Sequence, residues 1–191
     1  VPTHDEEIVA QIWRVDVGRV PLLLLDAERP ENSAFARWTT SQLYVGSPEV
    51  RLNQYALLGV GGRRALAALG IEPEVIHLNE GHAALVVVER ARHFMRRYGT
   101  TFRDALWATR AGNVFTTHTA VPAGFDTFPS DEIERYRPFF EEYVAGLGVS
   151  WSELLAFGRA HPHDPDEPFN MAWLAVRGCA RVNGVSQLHG T

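Results

Sequence analysis

Lysine is absent from this chain of 191 residues, whose 18 basic residues are all arginine. Without a lysine amine the chain can form no Schiff base with a carbonyl compound, and it can contain no Walker-type phosphate loop. The sequence therefore excludes covalent catalysis through lysine and nucleotide binding through that loop.

Cysteine is almost absent. The single cysteine, Cys179, can form no disulfide within the chain, which fits a reducing compartment, and we expect a cytoplasmic protein. Cys179 lies in a stretch of small and apolar residues, where a free cysteine usually packs as a small hydrophobic side chain. We therefore predict a packing role for it and not a catalytic thiol.

Basic patches and long apolar runs are missing as well. The net charge is −5, from 23 acidic and 18 basic residues, which gives neither a footprint for nucleic acid nor a basic helix for a membrane surface. The apolar run at residues 20–25 is far shorter than the roughly 20 residues that span a bilayer, and residues 1–14 lack the apolar centre of a signal peptide. We expect neither nucleic acid nor a membrane as a partner.

The hydrophobic pattern alternates between strand-like and helix-like segments. It predicts a strand pair at residues 8–17 and 20–25, a loop at 26–40, and a helix from Ser47 that Gly59, Gly61 and Gly62 interrupt. Further strands are predicted at 75–78, 113–117 and 181–185, and further helices at 83–98, 101–111, 138–147, 151–160 and 170–177. This alternation favours an α/β fold with a parallel sheet and flanking helices, in a single unit over residues 1–191.

Polar side chains follow the predicted strand at 75–78. Ligands of open α/β sheets bind beyond the carboxyl ends of the strands, where Asn79, Glu80 and His82 fall, next to a helix N-terminus. The alternative is that Asn79 and Glu80 only cap that helix. His77, Glu80 and His82 also suggest zinc, but their spacing matches no metalloprotease motif, and we expect no metal.

Two further strand ends carry polar residues. His118 ends one predicted strand between Thr117 and Thr119, and it binds either a ligand or the backbone of the following proline loop. The segment from Asn183 to Val185 ends another strand and is followed by His189; it is either a ligand-binding turn or simply a tight turn. By contrast, residues 161–167 are read as a solvated polar loop.

Three segments carry a family resemblance in one chain order. They are Leu78-Asn-Glu-Gly-His-Ala-Ala-Leu85, then Thr117-His-Thr119 ahead of Pro122, and then Asn170-Met-Ala-Trp-Leu174 with Val182-Asn-Gly-Val-Ser-Gln-Leu-His189. Together they resemble the α-glucan phosphorylases, the family of glycogen, starch and maltodextrin phosphorylases. The animal enzymes have Thr and Asn at the positions of Gly81 and Thr117. At these two positions the chain resembles the bacterial branch of the family.

The resemblance implies roles for individual residues. Glu80 and His82 would line the catalytic cleft, and His118 would bind the glucosyl unit near its primary hydroxyl. Val185 would help to wall the sugar pocket. The substrate-binding set that the resemblance implies consists of Asn79, Thr119, Asn183, Val185, His189 and, in a mobile gate loop, Asn32.

The resemblance also implies a larger enzyme. Such enzymes have two Rossmann-like lobes of the GT-B type, are often dimeric and allosteric, and carry pyridoxal phosphate on a lysine of the second lobe. They transfer a terminal α-1,4-linked glucose from glycogen, starch or maltodextrin to phosphate, giving glucose 1-phosphate with retention, and the cofactor phosphate serves as the proton relay. This chain would be part of the N-terminal lobe.

The missing lysine separates this chain from a complete enzyme of that kind. We expect no covalent pyridoxal phosphate on it, and we expect the isolated chain, which begins without Met and stops just after a motif, to be inactive without the missing C-terminal lobe. The alternative is a stand-alone sugar-binding or metal-dependent hydrolytic α/β domain. A fragment, unlike such a domain, should expose an apolar patch where its missing parts belong.

Overall fold

The computed structural model describes residues 1–3, 6–43, 46–118 and 125–187. Its strands are β1 (Gln11–Val17), β2 (Val20–Asp26), β3 (Ile76–Asn79), β4 (Asn113–Thr117), β5 (Thr127–Phe128), β6 (Phe169–Asn170) and β7 (Arg181–Gly184). Its helices are α1 (Ala34–Trp38), α2 (Pro48–Ala56), α3 (Gly62–Ala68), α4 (Val86–Tyr98), α5 (Phe102–Arg110), α6 (Ser130–Glu134), α7 (Arg137–Ala145), α8 (Trp151–Ala156) and α9 (Met171–Gly178). Within these ranges no helix has both the length and the apolar character needed to cross a membrane.

A three-stranded parallel sheet lies at the centre of the fold. Its strand order is β3-β4-β7, with Leu78 opposite Phe115 and Phe115 opposite Val182. Leu78 and Phe115 are fully buried. Helix α9 packs on β4, and α4 and α5 pack on each other and on α9. The predicted α/β arrangement of a parallel sheet with flanking helices is therefore confirmed.

The helices α4 and α5 follow directly from their sequence. In α4 the buried residues Val86, Val87, Val88 and Ala91 lie on the core side. The helix ends at Gly99, which adopts the left-handed conformation with φ 65° that glycine tolerates best. Thr101 then caps α5 by accepting a hydrogen bond from the backbone N–H of Asp104.

The predicted interruption of the helix at Gly59, Gly61 and Gly62 is wrong. A π-helical segment, Leu57–Gly61, joins α2 to α3 without a break. At Gly59 a Cβ atom would lie 2.8 Å from both Leu85 Cβ and Val86 N, so only glycine lets the helix approach that backbone. This glycine serves close packing, which outweighs its low helix propensity.

The predicted loop at residues 26–40 is wrong in part, because it contains the short helix α1. Ser33 caps this helix, since its hydroxyl accepts a hydrogen bond from the backbone N–H of Ala36 at 3.1 Å. One turn of helix with one buried residue, Ala36, carries too weak a periodic pattern to be read from sequence.

The predicted strand pair is confirmed as an antiparallel hairpin of β1 and β2, which turns at Gly18 with φ 61°. One face of this hairpin is apolar and exposed. It consists of three cross-strand pairs, namely Trp13 with Leu24, Val15 with Leu22 and Val17 with Val20, and all six side chains are exposed. We call these six residues the hairpin face.

Cys179 is buried, with 1% of its surface exposed. Burial raises the pKa of its thiol to about 12, so the reactive thiolate is not populated at neutral pH. The predicted packing role is confirmed.

Candidate functional site

Three strand ends meet at one edge of the parallel sheet. Asn79 at the end of β3 lies opposite Thr116 of β4, and Thr117 lies opposite Gly184 of β7. The ladder continues one residue further on each side. The backbone N–H of Glu80 donates to the carbonyl of Thr116, and that of Val185 donates to the carbonyl of Thr117, both at 3.0 Å. The structure therefore brings together segments that lie about a hundred residues apart in sequence.

Glu80 connects two of these strand ends. Among the described residues it is the only one other than glycine with a positive φ, of 65°. Its carboxylate Oε1 accepts a hydrogen bond from the backbone N–H of His118. Its side chain makes no capping hydrogen bond to the 3-10 turn Gly81–Ala83 that follows, so the capping alternative is wrong for Glu80. A non-glycine residue in this conformation persists only where surrounding contacts hold it, and such residues cluster at functional sites.

A row of hydrogen bonds crosses all three strands just below this edge. The Thr116 hydroxyl donates to Asn183 Oδ1 at 3.0 Å and lies 2.7 Å from His77 Nε2. Because the hydroxyl has one proton and gives it to Asn183, it accepts the second hydrogen bond from the Nε2–H of His77. This row fixes the register of the strand ends on which the site is built.

A second cluster, which the sequence did not predict, lies next to this edge. The Asp126 carboxylate forms an ion pair with Arg51, accepts a hydrogen bond from the Tyr55 hydroxyl at 2.6 Å, and lies 3.5 Å from His82 Nε2. The rings of Tyr55 and His82 are 5.2 Å apart. We call these four residues the Asp126 cluster. It joins α2, the start of the segment after β3 and the approach to β5.

The groups around His82 set its pKa. Partial burial lowers the pKa of His82, the positive charge of Arg51 lowers it further, and the negative charge of Glu80 raises it. Burial also raises the pKa of the Tyr55 hydroxyl. At neutral pH both His82 and Tyr55 are therefore uncharged and can form hydrogen bonds with a neutral ligand.

A cavity of about 710 Å³ opens beside this cluster. Its walls combine apolar side chains with hydroxyl, amide and charged groups, namely Leu25, Thr39, Thr40, Gln42, Leu43, Arg51, Gln54, Tyr55, Leu58, His82 and Asp126. This volume lies within the roughly 300–1,000 Å³ of small-molecule sites. Hydroxyl, amide and imidazole groups set among apolar side chains are suited to a hydroxylated ligand.

Asn32 is not part of either group of residues. It is buried, its amide donates to the carbonyls of Val9 and Ala27 at 2.7 Å each, and its Oδ1 accepts from the backbone N–H of Val9. These bonds fix the loop that precedes α1. Its predicted place in a gate loop stays a prediction.

The remaining predicted site residues divide into two groups. Val185 and Asn79 are exposed at the strand ends, next to Glu80 and His118. Thr119 and His189 lie outside the described residues.

The zinc alternative requires the side chains of His77 and His82 to converge on one point. His77 turns to Thr116 while His82 turns to Asp126. Over the described ranges, no three or more His, Cys, Asp or Glu side chains come together as a metal site.

The comparisons with known proteins agree on one family. The sequence model of carbohydrate phosphorylases matches residues 68–191, which include all three strand ends. Over 95% of its own length, this chain is 43% identical to a glycogen phosphorylase of Mycobacterium tuberculosis. Over 99% of its own length, it is 42% identical to a maltodextrin phosphorylase of Thermococcus litoralis. A glycogen phosphorylase of Aquifex aeolicus is 32% identical over 99%. The chain spans 22%, 21% and 27% of these three proteins, respectively.

Proposed function

Since the chain belongs to the carbohydrate phosphorylase family, we propose that its three strand ends form the substrate side of an α-1,4-glucan phosphorylase site. The observation that carries this proposal is the contact between Glu80 and His118. It ties together two of the segments in which the chain resembles the family, and it places their polar groups at the edge of the sheet where ligands bind.

The proposed roles follow the positions of the side chains. Exposed at the end of β4, His118 binds the terminal glucosyl unit, and Glu80 fixes the backbone that presents His118. Val185 forms part of the sugar pocket wall. The substrate-binding set also includes Asn79, Thr119, Asn183 and His189.

The Asp126 cluster extends this proposal to the neighbouring cavity. An uncharged His82 can donate one hydrogen bond and accept another, which matches a sugar hydroxyl. The fixed pair of Arg51 and Asp126 keeps the wall of the cavity in place. We place the catalytic role of His82 here, where it orients the substrate beside Glu80.

The reaction in the full-length enzyme is phosphorolysis. An oxygen of inorganic phosphate forms a bond to the anomeric carbon of the terminal glucose while the α-1,4 bond breaks, and the departing hydroxyl takes a proton that the phosphate supplies. Glycogen, starch or maltodextrin is the glucan substrate, and glucose 1-phosphate is the product.

The residues of this chain do not fit covalent attachment of pyridoxal phosphate, because an internal aldimine needs a lysine and the chain has none. In this proposal the cofactor belongs to the C-terminal lobe of a GT-B enzyme, and the roles of this chain's residues are confined to binding and orienting the glucan. Dimerisation, allosteric control and a cytoplasmic location are part of the same proposal.

The hairpin face supports the view that the chain acts within a longer protein. Monomeric proteins rarely expose contiguous apolar patches of this kind unless a partner covers them. The relatives are about four to five times as long as the segment that they share with this chain. We therefore propose that further parts of the phosphorylase polypeptide cover the hairpin face.

The test compares the 191-residue chain with a full-length enzyme that carries it. The release of glucose 1-phosphate from maltodextrin and phosphate is measured for both proteins. We expect release from the full-length enzyme and none from the chain alone. Glucose 1-phosphate release by the isolated chain, or stoichiometric zinc that is lost in His77→Ala, would favour a stand-alone domain and contradict the proposal.

A further inference from the structure

A separate cavity of about 260 Å³ lies at the opposite end of the sheet from the strand-end site. Glu74 precedes β3 and Gly112 precedes β4, and both line this cavity. Because β3 has four residues and a strand rises about 3.3 Å per residue, the two sites are separated by roughly 13 Å of strand. A ligand here would not reach Glu80 or His118.

Charged side chains dominate the walls of this cavity. Three guanidinium groups face two carboxylates and one imidazole, namely Arg63, Arg90 and Arg97 against Glu72 and Glu74, with His93 beside them. The cavity therefore carries excess positive charge in a chain whose net charge is −5. This local excess favours an anion.

Arg63 provides the second, independent observation. Its side chain is only 4% exposed, and its Nη2 donates to Glu72 Oε2 at 2.7 Å. Its Nε and Nη1 are buried and have no hydrogen-bond partner among the described residues. Since buried polar groups nearly always find partners, a guanidinium with two unpaired nitrogens points to an acceptor that the described residues do not supply.

The other two arginines have different roles. Arg90 donates through Nη1 and Nη2 to three backbone carbonyls and to Asn113 Oδ1, at 2.6–3.2 Å, so it braces the wall. Burial lowers the pKa of Arg90, and the nearby charge of Arg63 lowers it further, which indicates that the two cations repel each other. Arg97 is exposed over the ring of Tyr98 at 5.6 Å and is available at the mouth.

We propose that this cavity binds a phosphate group, either free or as a phosphomonoester, between Arg63 and Arg97. A phosphate dianion offsets the excess positive charge and offers acceptor oxygens to Arg97 and to Nη2 of Arg63, where it replaces the Glu72 carboxylate. The Glu72 carboxylate, which is 46% exposed and also lies 3.3 Å from His93 Nε2, turns outward to admit it. The volume is below the roughly 300–1,000 Å³ of drug-sized ligand sites, which suits a small anion.

The experiment titrates the 191-residue chain with inorganic phosphate and, separately, with glucose 1-phosphate. Calorimetry gives the affinity and amide chemical shifts give the location. We expect one saturable site with shifts at Glu74 and Gly112. Tighter binding of glucose 1-phosphate identifies a monoester as the ligand, and equal or weaker binding identifies free phosphate.

Three matched variants test the assignment. Arg63→Met keeps the aliphatic stem and removes the guanidinium, and we expect it to weaken binding by about tenfold or more. Arg97→Met, at an exposed position, should weaken binding severalfold. Arg14→Met removes an exposed arginine of the hairpin, 66% exposed, and should bind as the wild type does.

The proposal is overturned if the wild-type chain shows no saturable binding. It is also overturned if Arg97→Met and Arg14→Met bind equally well, or if the shifts occur at the strand ends near His118 and not at Gly112. None of these outcomes depends on phosphorolysis, so the site stands or falls independently of the proposed function.

Discussion

The carboxylate of Glu80 accepts a hydrogen bond from the backbone N–H of His118 and so connects the ends of two neighbouring parallel strands. Glu80 holds this position with a positive φ of 65°, which is unusual for any residue but glycine. The contact makes the position of His118 depend on Glu80. In the proposed site, a change at either residue therefore affects the same glucosyl contact.

Asp126 contacts Arg51, Tyr55 and His82, and replacing its carboxylate should lower the free energy of unfolding. Asp126→Asn leaves Arg51 without its ionic partner at a position where the carboxylate is only 14% exposed. We expect the free energy of unfolding to fall by about 1–3 kcal/mol, measured by urea denaturation. The control is Asp16→Asn, which breaks an ion pair with Arg14 that is exposed on both sides and should change stability by about 0.5 kcal/mol or less. Equal effects of the two substitutions would contradict a structural role for Asp126.

Two glycines of the continuous helix should respond in opposite directions to alanine. Gly59→Ala places a Cβ 2.8 Å from Leu85 Cβ and Val86 N, and we expect it to destabilise the fold by about 1–3 kcal/mol. Gly62→Ala has no atom within 4 Å of the new Cβ and should stabilise by about 0.4–1 kcal/mol, because alanine has the higher helix propensity. Thermal unfolding of both variants measures the difference. Equal stability of the Gly59→Ala and Gly62→Ala variants would contradict the close approach of the helix to Leu85 at Gly59.

The protonation of His82 should follow the charges around it. Its pKa in the folded chain is lowered from 6.5, so the folded state favours neutral His82. Below about pH 6.5 the unfolded chain therefore binds more protons at His82 than the folded chain does. The contribution of His82 to the free energy of unfolding is present above about pH 6.5 and is lost as the pH falls through the lower pKa of the folded state. Histidine resonances followed by NMR report this pKa directly.

Two substitutions should shift the pKa of His82 in opposite directions. Arg51→Met removes a positive charge and should raise the pKa of His82, whereas Glu80→Gln removes a negative charge and should lower it further. Shifts in the same direction for both variants would contradict the arrangement of the three side chains.

The sheet and its strand ends could be predicted from the sequence because their signals are local. Ile76 and Leu78 mark β3, and Val114 and Phe115 mark β4. Polar residues follow both strands, and parallel strands must place these ends at one edge. The meeting of Glu80 with His118 is a consequence of that rule.

The Asp126 cluster could not be predicted in the same way. Arg51 and Tyr55 are four residues apart on one helix face, which is a visible local signal, but Asp126 lies in an irregular segment 71 residues beyond Tyr55. Only the packing of α2 against that segment brings them together. The helix through Gly59 is a similar case, since tertiary packing against Leu85 overrides a local propensity.

The central claim concerns His118, and kinetics of the full-length enzyme carrying this chain test it most directly. In His118→Ala the glucosyl unit loses a hydrogen bond, and we expect kcat/KM for maltodextrin phosphorolysis to fall by about 10- to 100-fold. The matched control is His161→Ala, whose side chain is 84% exposed in a polar loop and which should leave kcat/KM nearly unchanged. A fall confined to His118→Ala is the predicted result. Equal kinetics for the two variants would contradict the account.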